Sequence, residues 1–554
     1  MDEISILIGG KAGFGIDRSG AVLGHLLNKL GYRIYIYRDY PSLIRGGHTF
    51  SIIRASKTRI AVHNDKVDFV LALNKETLDL HKDKLKKDCM CIYDSDQTTI
   101  PPNVCCLGLP LSKFLKEENG PEIMRNTCII GALTKAIGID FSVLESVLKK
   151  EFTKDVELNL KVAKRGFNEA KELIRIEPLK QESFPLLTGN QAIALGLIKG
   201  GLNAYISYPM TPSSPILHYL ANIADDFGLD VIHPESEIGV ILMALGYAYA
   251  GRKAAVGTSG GGFCLMTEGL SLSGMAELPI VIVLGQRPGP STGLPTYSSQ
   301  TDLHFALNAG QGEFVRFIVA PGDAEEAYYW SAISMNMSWK YQIPSIILSD
   351  KDMGEGVFNF DLKTVSQLPE EKPYMWDRKS PYKRYLVAEN GVSPLAFPPV
   401  KNEIIKVNSY EHDEFGITTE EPGETIKMQE KRLRKEKFLS EDLESIETVN
   451  LYEGQNKDIA LLCWGSNKGV CLEIGKKLGV KVIQPIVLNP FPIKQFQQAL
   501  SGVKRLISVE NNATAQLTRL VNNYGISVYE KILKYDGRPF SVEELEKKVK
   551  EVIV

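Results

Sequence analysis

Cysteine, histidine and long apolar runs are scarce in this sequence. Its 554 residues hold eight cysteines, at 89, 91, 105, 106, 128, 264, 463 and 471, and no two show the Cys-x-x-Cys spacing of a zinc or iron–sulfur ligand set. They read as reduced thiols. The eight histidines form no His-x-x-x-His pair and no Cys/His cluster, which disfavours a catalytic metal held by the protein. Apolar stretches such as residues 278–284 fall far short of the roughly 20 residues a membrane helix needs, so no span is expected. Met1-Asp2-Glu3 leads into only a short apolar run, without the charged start or length of a signal peptide, and the expected location is the cytoplasm. Charge of one sign is also missing. With 64 Lys and Arg against 67 Asp and Glu, the net charge is −3, and neither nucleic acid nor a membrane surface is an expected partner. No Gly-Lys-Ser/Thr follows the glycines of 9–15, which excludes a P-loop.

What is present is enough apolar material, 44% of the residues, for several cores, and at about 150 residues per domain the length implies three or four. Residues 4–8, 33–37, 49–54, 67–73 and 89–93 read as strands, several alternating with helical stretches, in an α/β unit over 1–180. The pattern restarts near 187. Short strands at 204–207, 254–257, 278–284 and 345–348, the last three apolar on both faces, alternate with helices to residue 350, as in a doubly wound parallel sheet. Residues 351–455 read as an extended linker with a charged helix, the run 430–437 being a solvated face because its signs alternate. Strands at 459–464, 480–487 and 505–509 then mark a third α/β unit over 456–554. The expected fold class is therefore α/β, in three units with a doubly wound one at the centre.

Four segments could carry chemistry. Gly9 to Gly15 follows a strand and opens a helix, so its N–H groups could cradle a phosphate or carboxylate, or the glycines could serve the turn alone. The second strand lacks the acidic residue of an NAD site. In Tyr208-Pro209-Met210-Thr211-Pro212-Ser213-Ser214-Pro215 each proline restricts the residue before it, which presents Tyr208, Thr211 and Ser214 in fixed directions. Ser214 reads as an N-cap with Pro215 at the first helical position. Capping does not explain Thr211 between two prolines, where a hydroxyl over a helix N-terminus suits a carboxylated substrate. Glu237 opens an apolar helix, 238–249, expected to be buried; it is either a carboxylate favoured by the helix dipole or a buried acid tuned by its surroundings. Arg287 ends an apolar strand, where open sheets bind ligands, and could hold a carboxylate by two hydrogen bonds or form a structural ion pair.

Taken together, Tyr208-Pro-Met-Thr211-Pro-Ser213-Ser, Ser236-Glu237-Ile-Gly239, Arg287-Pro-Gly-Pro-Ser-Thr-Gly293 and Glu411-His412-Asp413-Glu414-Phe-Gly416 resemble the α subunit of the 2-oxoacid:ferredoxin oxidoreductases. Gly10-x-x-Gly13-x-Gly15 and Tyr40-Pro-Ser-Leu-Ile-Arg45-Gly-Gly47 are similar to the γ domain of that family, fused ahead of α. The final unit matches through Trp464-Gly465-Ser466, Pro490-Phe-Pro492, Glu510-Asn511-Asn512 and Tyr535-Asp-Gly-Arg-Pro-Phe540. The resemblance implies a thiamine-diphosphate-binding, pyrimidine-type central domain and a transketolase-C-like last domain. It implies oxidation of a 2-oxoacid with coenzyme A to acyl-CoA and CO2, with electrons passed to ferredoxin. On the matching positions, Glu237 corresponds to the carboxyl that bonds the aminopyrimidine N1′. Thr211 and Arg287 correspond to the groups that orient the substrate, with Tyr208 and Ser213 beside them. Gly10, Gly13 and Gly15 form the cofactor-side glycine loop.

The chain lacks the Gly-Asp-Gly and Asn-Asn signature that places magnesium on the diphosphate; Gly322-Asp323-Ala324 has no Asn-Asn at the required distance. The resemblance therefore implies a separate β subunit that carries Mg2+ and a [4Fe–4S] cluster, in an αβ or (αβ)2 assembly, and the metal ligands of this chain are expected to be none. A non-redox transketolase-like enzyme normally has its own diphosphate signature, and a nucleotide-binding scaffold would leave Thr211, Glu237 and Arg287 without a purpose. Among substrates 2-oxoglutarate ranks first, then pyruvate and branched-chain 2-oxoacids; both reaction directions, including CO2 fixation, stay open.

Overall fold

The computed structural model describes residues 2–42, 47–98, 105–369 and 371–553. Residues 43–46 of the Tyr40–Gly47 motif, Arg45 among them, lie outside the described set. The chain divides into two compact units. The first comprises Met1–Leu187, Glu355–Asp361 and Ser541–Val554, and the second Thr188–Gly354 and Leu362–Phe540.

In the first unit the β-rich segments pair into a mixed sheet. Glu3–Lys11 lies between the antiparallel His48–Ser56 and the parallel Val67–Ala72, and Leu85–Asp94 and Cys105–Leu109 continue the parallel side to one edge. Apolar side chains of Glu3–Lys11 and Arg33–Asp39 pack with the helix Ile16–Lys29 in one core. Helices Arg125–Ala136 and Val156–Glu169 cross at Gly131 and Gly166, where a Cβ on either would strike the other helix's backbone, at the Ala163 and Cys128 carbonyls. The last helix, Val542–Ile553, joins this unit, although the sequence division 456–554 ran past it: Asp65 and Lys66 N–H donate to Glu543, and Leu545 and Val549 are buried.

The second unit contains the doubly wound sheet. Six parallel strands run in the spatial order Phe317–Val319, Pro344–Asp350, Ile280–Gln286, Ala254–Ser259, Ala204–Ile206, Asp230–Ile232, with an antiparallel edge strand Val487–Asn489. The chain leaves Ala204–Ile206 to add Asp230–Ile232 on one side and then Ala254–Ser259 on the other, so the strand order reverses at Ala204–Ile206. Ligands of open α/β sheets bind at the carboxyl ends of the strands beside such a reversal. A five-stranded sheet, four of its strands parallel, occupies the C-terminal part of the same unit.

Two expectations are corrected here. The charged run is not a solvated face: in helix Pro422–Leu443, Met428, Lys431, Arg432, Lys435, Leu439 and Leu443 are buried, a stripe at helical spacing. Lys431 and Lys435 each donate to the buried Glu277 carboxylate, at 2.6 and 2.5 Å, and Arg432 pairs with Glu411 of the Glu411–Gly416 motif at 2.6 Å. Arg384 donates to the Ala276 and Glu277 carbonyls at 3.2 and 2.7 Å. The alternating signs therefore mark pairing with partners distant in sequence. The segment 351–455 is likewise packed by these bonds and by buried Tyr382 and Tyr385. Second, helix Glu237–Tyr249 is not fully buried, because Ile238, Leu242 and Met243 form an exposed apolar face.

Lys431 and Lys435 hold Glu277 well below the usual carboxylate range, whereas burial pushes Lys431 down to about 7. One carboxylate serves two ammonium groups, so the two sides are not equivalent. Glu277→Gln is expected to destabilise the fold by about 3–5 kcal/mol, since it strands buried cations. Lys431→Met is expected to cost much less, because Lys435 still neutralises Glu277. Urea titration of both variants checks this; equal losses would show that the cluster is not organised around Glu277.

Candidate active site at the reversal of strand order

Two glycines clear the carboxyl ends of the central strands. A Cβ at Gly257 would overlap the buried Tyr205 hydroxyl of the neighbouring strand, and one at Gly285 would lie 3.0 Å from Pro212 Cδ, so the absence of a side chain at Gly285 lets the loop after Ala204–Ile206 lie against the sheet. Within that loop Ser213 Oγ donates to the Met210 carbonyl (2.9 Å), and Asn190 Nδ2 donates to the Pro212 carbonyl (3.0 Å). The helix Ser214–Asn222 takes Ser213 as its N-cap residue without a side-chain cap bond. This corrects the reading of Ser214 as the cap: the tight turn at Met210 brings Ser214 inside the first helical turn, and Ser213 is buried with its hydroxyl engaged in the turn. Tyr208 stays exposed, its ring 5.9 Å from that of His233.

Arg287, at the end of Ile280–Gln286, reaches back to this loop. Its Nη1 donates to the Thr211 carbonyl at 2.9 Å, while buried Nε has no partner. No described residue bonds Nη2 either, so the Nε–Nη2 edge, the fork that fits a carboxylate with two parallel bonds, is open. Burial lowers the Arg287 pKa, an effect opposed by Asp302.

Glu237 enters from the third direction. Ser236 caps its helix by accepting from the Gly239 N–H, which sets Glu237 in the first turn. Its side chain is 5% exposed, and no described residue donates a hydrogen bond to the carboxylate. A Cβ on Gly262 would sit 2.8 Å from Glu237 Oε1 and would overlap Thr258 Oγ1. The glycine-rich start of helix Gly260–Ala276 thus keeps a side-chain-free cradle beside a buried acid.

Sequence reasoning missed Asp302. It lies against the same helix start, both carboxylate oxygens 3.0 Å from a Cβ built on Gly260, and its Oδ2 is buried without a partner. Burial raises its pKa to about 7 against the pull of Arg287. Ser259 Oγ, at the end of the strand that leads into Gly260, is also buried without a partner. The available signal was the polar run 298–302 after an apolar strand, which carries no motif of its own. Buried polar groups are nearly always bonded, so this concentration of unpaired ones marks a place for a polar ligand. Among the described residues no group of three or more Cys, His, Asp or Glu could hold a metal ion, and no helix is long and apolar enough to cross a membrane.

The structure therefore brings Thr211, Glu237 and Arg287 to one end of one sheet, with Tyr208 and Ser213 in the adjoining loop. Gly10, Gly13 and Gly15 belong to the first unit: Gly10 is the next-to-last residue of the strand Glu3–Lys11, and Gly13 and Gly15 take φ of 93° and 71°, Gly15 as N-cap of Ile16–Lys29.

Comparison with known proteins adds five matches. Residues 195–431 match the family model of the thiamine-diphosphate-binding domain of pyruvate flavodoxin/ferredoxin oxidoreductases, and residues 5–169 match a second model, of pyruvate ferredoxin/flavodoxin oxidoreductases. The chain is 30% identical to the 2-oxoacid:ferredoxin oxidoreductase subunit alpha of Saccharolobus solfataricus over 100% of its own length and 98% of the relative's. It is 30% identical to the 2-oxoglutarate synthase subunit KorA of Methanocaldococcus jannaschii over 55% of this chain and 83% of the relative. A solved 2-oxoglutarate:ferredoxin oxidoreductase from Magnetococcus marinus, with 2-oxoglutarate, coenzyme A and succinyl-CoA bound, superposes with a TM-score of 0.90 at 29% identity, covering 100% of both chains.

The Asp302 environment predicts a pH signature. The folded chain binds the Asp302 proton up to about pH 7, whereas the unfolded chain loses it near the ordinary value of 3.8. Between these limits the folded state holds more protons, so this residue lowers stability progressively as pH rises. Asp302→Asn removes the effect: its thermal midpoint should rise relative to the parent from about pH 4 to about pH 7 and hold a constant lead above that. A lead that shrinks with rising pH would contradict the protonated assignment.

Proposed function

Because the chain belongs to the α subunits of the 2-oxoacid:ferredoxin oxidoreductases, we propose that it supplies the pyrimidine-binding and substrate-orienting half of a thiamine-diphosphate active site. A separate β subunit supplies the diphosphate and Mg2+ site and a [4Fe–4S] cluster. The observation that carries this reading is the buried, unbonded Glu237 carboxylate beside the cradle at Gly262. An isolated buried carboxylate is costly without a partner, and the aminopyrimidine N1′ is a partner of the right kind. Thiamine diphosphate, when bound, provides the electron sink for decarboxylation of a 2-oxoacid.

This chain's own residues do the rest on their side of the site. Glu237 holds and exchanges a proton at N1′. Arg287 offers its open Nε–Nη2 edge to the substrate carboxylate, while Nη1 stays tied to the Thr211 carbonyl, so the guanidinium is oriented before substrate arrives. Thr211 directs its hydroxyl to the keto group, with Tyr208 and Ser213 as the remaining lining; the bond from Ser213 to Met210 gives that residue the shape of the loop as its contribution. The exposed face of Ile238, Leu242 and Met243, with Leu265 on the adjoining helix, suits the β subunit.

The preferred substrate is 2-oxoglutarate, with coenzyme A as acyl acceptor and ferredoxin as electron acceptor, supported by the full-length likeness to the Magnetococcus enzyme. The reaction runs as oxidative decarboxylation or, with reduced ferredoxin, as CO2-fixing synthesis. The glycine loop at Gly10, Gly13 and Gly15 is the candidate anion contact of the first unit.

Two substitutions in the αβ complex separate the roles. Glu237→Gln keeps size and one acceptor, so cofactor should remain bound while turnover falls by about 10²- to 10⁴-fold, the usual worth of positioned acid–base transfer. Arg287→Ala should leave cofactor content unchanged and lower kcat/KM for 2-oxoglutarate by roughly 10- to 150-fold, the equivalent of about 1.5–3 kcal/mol for a hydrogen bond to a charged group. Near-normal turnover in Glu237→Gln would return that residue to a helix-start role and move the search to Glu235; unchanged kcat/KM across a 2-oxoacid panel in Arg287→Ala would remove Arg287 from substrate binding.

A further inference from the structure

Four of the eight cysteines, at 89, 91, 105 and 106, fall on two neighbouring strands of the first unit, and the thiamine chemistry uses none of them. Leu85–Asp94 and Cys105–Leu109 pair in parallel, in a register that sets Cys91 opposite Cys106 and Met90 opposite Cys105. Adjacent strands lie about 4.8 Å apart, inside the range of about 4.4–6.8 Å between Cα atoms that a disulfide bridges. Side chains alternate across a sheet, so Cys91 and Cys106 share one face and Cys105 takes the other. Cys105–Leu109 is the edge strand and five residues long, so its backbone is paired on one side only and can adjust. Access differs along the strand: Cys91 is buried, Cys106 half-buried and Cys105 exposed.

We propose that Cys106 and Cys91 are a peroxide-responsive thiol pair, in which Cys106 is oxidised first and Cys91 resolves it to a disulfide. In the first step the Cys106 thiolate attacks hydrogen peroxide. An S–O bond forms and the O–O bond breaks, the sulfur loses two electrons to the peroxide oxygens, and hydroxide leaves. In the second step the Cys91 sulfur attacks that sulfenic sulfur; the S–S bond forms, the S–O bond breaks, and the departing hydroxide takes the Cys91 proton as water. A dithiol reductant cleaves the disulfide by exchange and returns both thiols, itself being oxidised to a disulfide.

The electrostatics agree with this division of labour. The Cys91 thiol, as hydrogen-bond donor, pulls the Cys106 pKa below the ordinary thiol value, while that same hydrogen bond to Cys106, and after it burial, drive that of Cys91 far up. Thiolate character with access is what selects a sensor cysteine, and a second thiol within reach, which gives up its proton as it attacks, is what resolves it. Cys89, two residues before Cys91 and on the same face, is buried and pushed up to about 12, so it is neither accessible nor ionised. The expectation that all eight thiols stay reduced therefore holds for this pair only in the absence of oxidant.

The test uses the full-length chain. On the reduced protein, N-ethylmaleimide should modify Cys106 several-fold faster than Cys105, although Cys105 is the more exposed. After hydrogen peroxide, peptide mapping under non-reducing conditions should find Cys91 joined to Cys106, released by dithiothreitol. In Cys91→Ser, dimedone should trap a sulfenic acid at Cys106, and in Cys106→Ser both the cross-link and the dimedone adduct should vanish. Faster alkylation of Cys105, or oxidation that joins other cysteines or accumulates at Cys105, would overturn the proposal; the alkylation race on the unsubstituted chain decides even where a variant misfolds.

Discussion

Helix Gly260–Ala276 is the member that both charged clusters of the second unit depend on. Its start carries no side chains for three residues, which leaves space for two buried acids, Glu237 and Asp302, at the positive end of the helix dipole. Its other end is held by cations. Arg384 donates to the Ala276 and Glu277 carbonyls, and Lys431 and Lys435 meet the Glu277 side chain immediately after the last turn. Cations at the C-terminus complement the dipole, so the helix and the anchoring segment 384–435 reinforce one another. The apolar interior makes every member of these clusters sensitive to the loss of its partner.

The second constraint is steric. Gly285 lets the Pro-rich loop descend onto the strand ends, and that descent places the Thr211 carbonyl within reach of Arg287. Arg287 is thereby oriented through one nitrogen with its other edge unengaged. The reversal of strand order at Ala204–Ile206 explains why residues 211, 237 and 287 lie at one end of the sheet, since each follows or opens an element there.

Much of this was legible in the sequence, for identifiable reasons. Strands apolar on both faces, such as Ile280–Gln286, announce a parallel sheet without any partner being known, and prolines constrain their neighbours locally, so Thr211 stood out. Asp302 was not legible because its distinction arises from burial against Gly260, some forty positions away in sequence. The run 430–437 misled for the same reason: alternating charge describes a solvated helix unless distant acids are folded onto it, and Glu277 and Glu411 are. Helix Glu237–Tyr249 looked fully buried because composition cannot tell a core from an apolar face turned outward. The first unit's claim on Val542–Ile553 depends on Asp65 and Glu543, which no local pattern links.

The central claim is that this chain holds one half of an active site and a β subunit the other. The most direct measurement is coenzyme-A-dependent reduction of a viologen dye with 2-oxoglutarate, by the purified chain alone and after reconstitution with a separately produced β subunit, cofactor and Mg2+ being supplied in both. The account predicts no turnover and no bound iron in the chain alone, and both in the reconstituted complex. Turnover by the chain alone would contradict it.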